Sequence, residues 1–260
     1  MCSSRLDSKS YNGLLDKPQV YDLICVGFGP ASLAIAVALH DLHIDARVLF
    51  LERQPQFAWH AGMLLPSAKM QISFLKDLAT FRDPQSHFTF LNYLKHKGRL
   101  EAFTNLGTFL PLREEFNDYL TWAADHFAGI VRYGTEVQAI QADSEKSTTP
   151  VDRWTVKCRS TSDDRLVSFV SKRTVIAVGG SPKLPRGLHS FSPQIVHSSQ
   201  YLRALPQNDR KDGPSSKFAV IGGGQSAAEI FLDLMNRFPR AQVKLFTAGS
   251  ALKPSDDSPL

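Results

Sequence analysis

The sequence is poor in the residues that build disulfide frameworks and metal clusters. Its 260 residues include only three cysteines, Cys2, Cys25 and Cys158. Their number and wide spacing exclude a disulfide framework, a CxxC redox pair and a zinc motif. His60 has no metal-ligand partner at a useful spacing, so we predict no metal site. This cysteine usage favours a reducing compartment, and we expect a cytoplasmic protein.

Long apolar runs and clusters of like charge are also missing. The longest apolar run, ASLAIAVAL at residues 31–39, is too short to cross a bilayer. Residues 1–19 are polar and lack the apolar core of a signal peptide. The net charge is +5, but the basic residues are scattered along the chain. We therefore predict partners that include neither a membrane nor a nucleic acid.

The chain begins its apolar pattern with a strand, a helix and a second strand. The run YDLICVGFG (21–29) predicts a buried strand that ends in glycine. PASLAIAVALHDL (30–42) predicts a buried helix with proline at its first turn, and ARVLFLER (46–53) predicts the next strand. This order within 33 residues is typical of a β-α-β unit that binds a nucleotide.

The turn in this unit has the spacing of a phosphate-binding loop. Gly27 and Gly29 permit a tight turn and a close approach of backbone N–H groups to a pyrophosphate, and Pro30 starts the helix. Ser32 takes the third glycine position and is small enough for close helix–strand packing. Glu52 ends the next strand, where its carboxylate can accept hydrogen bonds from ribose hydroxyls. The turn predicts a dinucleotide site.

A second turn of the same kind lies 195 residues further on, in KFAVIGGGQSAAEIFLDLM (217–235). It contains Gly222, Gly224 and the small Ala227, between a predicted strand and a predicted helix. The following strand, QVKLFTA (242–248), ends without an acid, which favours NADP over NAD, although a positive group for the 2′-phosphate is not obvious there either. Two such turns indicate a two-nucleotide flavoprotein, with FAD in the first turn and a nicotinamide nucleotide in the second.

The segments between the turns complete the predicted architecture. Residues 114–127 predict a helix, while IVRYGTEVQAI, RWTVKCRS and LVSFVSKRTVIAVGG predict short strands of a β-rich insertion. We predict an α/β fold with a Rossmann-like FAD-binding domain at 20–205, after a polar tail at 1–19. Residues 206–260 are interpreted as a linker and an incomplete NADPH-binding domain. Its helix should expose most of an apolar face formed by Ile230, Phe231, Leu234 and Met235.

The stretch WHAGMLLPSAKMQISFLKDLATFRDPQSHFTFLNYL (59–94) is more specific than either glycine turn. It resembles the fungal L-ornithine N5-monooxygenases, flavin-dependent enzymes that begin siderophore synthesis. FGPASLAIA, FLPLREEFNDYL, VGGSPKLP, GGGQSAAE and KPSDDSP match the same family in the same order. The resemblance covers about residues 20–260, and the bacterial lysine N6-hydroxylases are more distant relatives.

The resemblance implies roles for individual residues. The segment ERQPQFAWH (52–60) would line FAD, Met70 and Gln71 would lie beside the isoalloxazine, and the backbone of Val137 would meet the adenine. Lys76 would bind the α-carboxylate of the amino-acid substrate, a task suited to a compact cation. The predicted cofactor-binding residues are Gly27, Gly29, Pro30, Glu52, Arg53, Phe57, Trp59, His60, Met70, Gln71, Val137, Gly222, Gly223, Gly224, Gln225 and Ser226.

The resemblance also implies a reaction that needs no side-chain nucleophile. NADPH reduces FAD, the reduced flavin activates O₂, and the side-chain amine of L-ornithine is hydroxylated. We therefore predict FAD and NADPH as cofactors, ornithine and O₂ as substrates, and no catalytic side chain. Family members assemble as tetramers, so a homo-oligomer is an expectation.

Two departures from the family pattern leave alternatives open. Ala248 stands where the family has a basic residue for the NADPH 2′-phosphate, and the sequence stops after PSDDSP where the family continues. We therefore expect little activity from this chain alone. The alternatives are a non-catalytic FAD-binding remnant and another flavin monooxygenase, such as a lysine N6-hydroxylase or a Baeyer–Villiger-type enzyme.

Overall fold

The computed structural model describes residues 19–142, 151–184, 194–205, 217–249 and 252. The predicted tail, apart from residue 19, lies outside these ranges, and so do residues 206–216, the first part of the predicted linker and NADPH-binding domain. The helices are α1 (Pro30–Asp41), α2 (Phe90–His96), α3 (Leu100–Asn105), α4 (Arg113–Asp125), α5 (Tyr201–Ala204) and α6 (Gln225–Arg237). The strands are β1 (Val20–Val26), β2 (Val48–Leu51), β3 (Val131–Arg132), β4 (Thr135–Ala142), β5 (Trp154–Ser160), β6 (Leu166–Ile176), β7 (Lys217–Ile221) and β8 (Gln242–Phe246).

The larger sheet has six strands in the order β3-β2-β1-β6-β5-β4. Strand β1 lies between β2 and β6 and pairs in parallel with both. Its residues Ile24, Cys25 and Val26 are buried, as expected of an inner strand with both faces covered. The predicted β-α-β unit is confirmed, and the fold is the predicted α/β fold.

The β-rich insertion extends this sheet. Strand β6 pairs in parallel with β1 along one side and in antiparallel fashion with β5 along the other. The prediction that IVRYGTEVQAI forms one strand is wrong. The chain turns at Gly134, whose φ is +62°, and the segment forms the two strands β3 and β4. As a result β3 pairs with β2 at one edge of the sheet, and β4 pairs with β5 at the opposite edge.

Helices α2 and α3 are absent from the sequence prediction and are held by an aromatic core. The Thr89 side chain caps α2 by accepting the N–H of Asn92 at 3.2 Å. Phe90 is fully buried, and its ring lies 5.7 Å from that of Phe116 and 5.4 Å from that of Tyr119 between centroids. Both rings belong to α4, so aromatic packing supports helices that are too short to be stable alone.

The second sheet consists of β7 and β8 in parallel, with α6 between them in sequence. The expectation that α6 lacks cover is wrong for two of its four apolar residues. Ile230 and Leu234 are buried in a cluster that also contains Met63, Leu65 and Tyr201. Phe231 is partly buried in the same cluster, whereas Met235 remains 48% exposed. The cover comes from the first part of the chain, which periodicity within α6 does not reveal.

A surface histidine cluster predicts pH-dependent stability. Partial burial lowers the pKa of His87, and the positive charges of His126, His40 and His96 lower it further, against a small opposing effect of Asp41. Because the folded pKa is depressed, neutral His87 contributes stability above its unfolded pKa of about 6.5, and this is lost as the pH falls below that value. Since His87 is exposed, we expect a loss below about 1 kcal/mol between pH 7.5 and 5.5.

Thermal unfolding at the two pH values tests this expectation. His87→Gln should reduce the pH sensitivity, whereas the matched exposed variant His43→Gln should retain it. A His87→Gln protein with the full wild-type pH dependence would contradict the assignment to this cluster.

Candidate functional site

The first glycine turn joins β1 to α1 and is held closely by the rest of the fold. Gly27 has φ +90°, and a Cβ atom added there would lie 2.5 Å from the carbonyl oxygen of Ala177. The N–H of Gly27 donates to the carbonyl oxygen of Leu51 at 2.8 Å, which ties the turn to β2. The protein itself therefore requires glycine at position 27.

Gly29 differs, because no atom of the described residues explains the absence of a side chain. It occupies the N-cap of α1, and an added Cβ would meet nothing within 4 Å in that part of the chain. The first turn of α1 starts at Pro30 and has neither an acidic residue nor a side-chain cap. Ser32 is fully buried there, and its hydroxyl has no hydrogen-bond partner among the described residues. This open helix N-terminus fits an anion such as a pyrophosphate.

Glu52 links the turn to the loop that follows β2. One carboxylate oxygen accepts the N–H of Phe28 at 2.7 Å, and the other accepts the N–H of Gln54 at 2.9 Å. The residue is only 8% exposed. The carboxylate thus connects the first glycine turn to the loop after β2. It keeps further lone pairs that can accept ribose hydroxyls, and that role stays a prediction.

Aromatic rings pack around Phe28, the middle residue of this turn. The Phe28 ring lies 5.0 Å from that of Phe50 and 6.2 Å from the rings of Phe57 and Tyr133, between centroids. Burial, followed by the charges of Asp125 and Glu52, raises the pKa of Tyr133 to about 12. The Tyr133 hydroxyl is therefore neutral at physiological pH and available as a hydrogen-bond donor.

The predicted flavin-lining segment 52–60 borders a cavity of about 350 Å³. Trp59 is partly buried, and its ring lies 5.9 Å from that of Phe116 and 4.9 Å from that of His60. His60 has φ +48°, and burial and the charge of Arg113 lower its pKa. Arg53 is exposed at the start of the segment. The cavity is lined by Pro55, Gln56, Phe57, Ala58, Trp59, Ala61, Leu64, Asn117, Thr121, Asp125 and Tyr133.

Met70 and Gln71 follow in a segment that is paired with the chain before α4. The N–H of Met70 donates to the carbonyl oxygen of Pro111 at 2.8 Å, and Lys69 forms an antiparallel bridge with Leu112. The Met70 side chain is buried, whereas that of Gln71 is exposed. The backbone of Met70 is therefore fixed, as a residue beside a cofactor ring would need to be.

Lys76 and Val137 lie on different elements. Lys76 is exposed, and no carboxylate of the described ranges lies within ion-pair distance of its ammonium group. It can therefore meet the carboxylate of a ligand. Val137 is half-buried in β4, beside an irregularity in the pairing with β5 that leaves Gln138 without a partner in the register. Such an irregularity frees backbone groups.

The second glycine turn repeats the plan of the first. Gly222 has φ +146°, and an added Cβ there would lie 3.3 Å from the Cβ of Ala227. Gly223 lies near Thr247, at 3.7 Å by the same measure. Gly224 occupies the N-cap of α6 and, like Gly29, faces open space. The first turn of α6 again lacks acids and a side-chain cap, and so offers a second site for an anion.

Gln225 and Ser226 follow Gly224 in the first turn of α6. Ser226 is exposed, and the amide nitrogen of Gln225 donates to Glu229 at 2.9 Å. Arg113 binds the same carboxylate through two bonds of 2.7 and 2.8 Å. Sequence reasoning missed the Arg113–Glu229 pair, because 116 residues separate its members and only the GGGQSAAE motif draws attention to Glu229.

The described ranges contain no group of three or more His, Cys, Asp or Glu side chains that could hold a metal ion. None of the helices in those ranges combines the length and hydropathy that crossing a bilayer requires.

Comparison with known proteins places these features in a family. The family model described as L-lysine 6-monooxygenase/L-ornithine 5-monooxygenase matches residues 19–260. An L-ornithine N(5)-oxygenase from Arthrobotrys oligospora is 57% identical over 243 residues, which cover 93% of this chain and 50% of the relative. The chain thus spans about half the length of the curated relatives it matches.

Solved structures share the fold. The ornithine N-hydroxylase of Kutzneria sp. 744, in a form with reduced FAD, NADP⁺ and L-ornithine, matches with a TM-score of 0.85 and 39% identity over 93% of this chain and 56% of that one. The ornithine hydroxylase of Pseudomonas aeruginosa matches with a TM-score of 0.84 and 41% identity, over 93% of this chain and 58% of its own. At these values the likeness extends beyond the fold to the sequence.

Proposed function

The chain belongs to the L-lysine 6-monooxygenase/L-ornithine 5-monooxygenase family, and from this premise we propose a flavin-dependent N-hydroxylation. The reaction uses NADPH and O₂ to hydroxylate the side-chain amine of L-ornithine, as the first step towards a hydroxamate siderophore. We propose ornithine and not lysine because a relative named L-ornithine N(5)-oxygenase is 57% identical to this chain. A cytoplasmic location and a homo-oligomeric assembly are parts of the same proposal.

The observation that carries the proposal is the repeated plan of the two glycine turns. In each turn, the first glycine (Gly27 or Gly222) is needed by the protein, and the glycine two residues later (Gly29 or Gly224) is the N-cap of an uncapped helix and faces open space among the described residues. Two such sites in one chain suit two dinucleotides, FAD at Gly29 and NADPH at Gly224.

The residues around the first turn suit a flavin nucleotide. The N–H groups at the start of α1 would hold its pyrophosphate, Glu52 its ribose, and the backbone at Val137 its adenine. Arg53, Phe57, Trp59 and His60 would line it, and Met70 and Gln71 would hold its reactive end in place. When bound, FAD supplies the redox chemistry that activates O₂; the chain orients the partners and excludes water.

A second candidate function is FAD binding without hydroxylation. Ala248 is exposed just after β8, where the family has a basic residue. A lost charge-assisted contact with the 2′-phosphate weakens binding by about 1.5–3 kcal/mol. This candidate retains the first glycine turn and its flavin site but not efficient use of NADPH.

The two candidates differ in the purified protein. Residues 1–260 should be expressed, and the flavin absorbance, the oxidation of NADPH with ornithine, and the hydroxyornithine formed should be measured. Bound FAD together with ornithine-dependent hydroxylation supports the proposal. Bound FAD without NADPH oxidation supports the second candidate, and a protein that binds no FAD in titration contradicts both.

Lys76 provides a prediction about the substrate. Lys76→Met should weaken ornithine binding at least about tenfold, because the carboxylate loses a charge-assisted hydrogen bond. Isothermal titration with ornithine measures this directly, whether or not the chain turns over. Lys69→Met, an exposed lysine in the same segment, should bind ornithine as the wild type does. Equal ornithine affinities of the Lys76→Met and wild-type proteins would contradict the assignment of Lys76 to the substrate site.

A further inference from the structure

The ion pair between Arg113 and Glu229 joins the segments assigned to the two nucleotides. Arg113 is the first residue of α4, and its N–H donates to the carbonyl oxygen of Ala68 at 2.8 Å. Two residues after Ala68, the N–H of Met70 donates to the carbonyl oxygen of Pro111. The backbone of Arg113 is therefore fixed to the segment that carries Met70 and Gln71.

Glu229 is fixed in the same way to the second glycine turn. It lies one helical turn after Gln225 in α6, and its carboxylate accepts the Gln225 side-chain amide at 2.9 Å. Gln225 directly follows Gly224, the N-cap of the helix. A displacement of Glu229 therefore moves the N–H groups at the start of α6 with it.

The geometry of the Arg113–Glu229 pair fixes the relative orientation of the two side chains. Two guanidinium nitrogens of Arg113 meet the two oxygens of Glu229 at 2.7 and 2.8 Å, a planar two-point contact that fixes orientation. The Arg113 and Glu229 side chains are only 14% and 12% exposed. Removal of one partner leaves a mostly buried charge without compensation, which is far more disruptive than loss of a surface pair.

Apolar contacts hold the same helix but do not fix its orientation. Ile230 and Leu234 of α6 pack against Met63, Leu65 and Tyr201, and such contacts are non-directional. Loss of the ion pair should therefore leave α6 docked while its first turn becomes mobile. The apolar cluster and the ion pair thus have separable consequences.

We propose that Arg113 and Glu229 are positioning residues, which hold the nicotinamide-nucleotide turn in register with the flavin segment at Met70. The inference rests on the proposed function for the identity of the two nucleotides. The pair touches neither cofactor in this scheme; it acts through Gln225 on one side and through the 68–70 backbone on the other.

Hydrogen exchange of the full chain without cofactor tests the positioning. Glu229→Gln should speed exchange of the amides at residues 222–228 about tenfold, because the turn opens locally while the helix stays docked. Asp233→Asn is the matched control, one turn further along α6, where the carboxylate accepts from Tyr201 and Arg237. It should leave residues 222–228 at the wild-type rate. Equal effects of the two variants, or no effect of Glu229→Gln, would overturn the proposal.

A charge-reversed pair separates positioning from general stability. Arg113→Glu combined with Glu229→Arg should slow exchange at 222–228 relative to either single change, and exchange as fast as in the single variants would overturn the proposal.

With FAD and NADPH added, Glu229→Gln should reduce the rate of flavin reduction about tenfold at unchanged FAD content. A wild-type chain that cannot reduce flavin would reject the proposed function while the exchange comparison still decides the positioning role.

Discussion

Gly27→Ala is expected to destabilise the chain by about 3–5 kcal/mol even without a cofactor. Alanine at φ +90° is strained, and its Cβ would lie 2.5 Å from the carbonyl oxygen of Ala177, which belongs to the backbone and cannot rotate away. The N–H of Ala177 donates to Val26, so relief of the clash would strain the junction between β1 and β6. Urea unfolding of the chain without FAD measures the loss.

Gly29→Ala is the matched control for this prediction. Its added methyl group meets no atom within 4 Å in the part of the chain that the structure describes, and Gly29 has φ −85°, which alanine adopts readily. We expect stability within about 1 kcal/mol of the wild type without FAD, and FAD affinity at least about tenfold lower, since the methyl enters the space where backbone N–H groups meet the pyrophosphate. Equal stability of Gly27→Ala and Gly29→Ala would contradict the assignment of Gly27 to the stability of the fold and of Gly29 to FAD binding.

The sequence predicts the parts of the site that local chemistry determines. Each glycine turn needs only a strand, a small-residue spacing and a helix start, all of which are contiguous, so both turns and Pro30 at the first helical position are confirmed. Whether FAD and NADPH occupy these turns, and what Lys76 binds, stay predictions. Glu52 was predicted as a ribose ligand alone, and its bonds to the N–H groups of Phe28 and Gln54 depend on geometry between strands.

The parts that sequence reasoning missed depend on contacts between distant segments. Helices α2 and α3 have seven and six residues, too few to show a period. Rings of α4 pack against Phe90 of α2, and Phe90 in turn packs against Phe103 of α3. The split of 130–140 into two strands depends on the φ of Gly134. The cover of Ile230 comes from Met63 and Leu65, more than 160 residues earlier in the chain. Patterns within one segment carry no information about these partners.

The contact between residues 60–70 and the chain before β7 yields the second prediction of large effect. Gly62→Ala should destabilise the chain by about 3 kcal/mol or more, because the new methyl group would overlap the backbone of Ser199 and approach its carbonyl carbon to 2.6 Å. The carbonyl oxygen of Gly62 also accepts the N–H of Leu202 at 3.0 Å, so the two segments cannot separate without losing that bond.

Separation at Gly62 would also expose the apolar cluster that covers α6, since Met63 and Leu65 follow directly and Tyr201 lies on the opposing segment. Gly62→Ala should therefore bind a hydrophobic dye and lose proteolytic protection at 217–249 before the larger sheet unfolds. Gly129→Ala is the control, because its Cβ enters open space and the position is exposed. If Gly62→Ala unfolds in a single transition with the stability of Gly129→Ala, the contact between Gly62 and Ser199 does not anchor the second glycine turn.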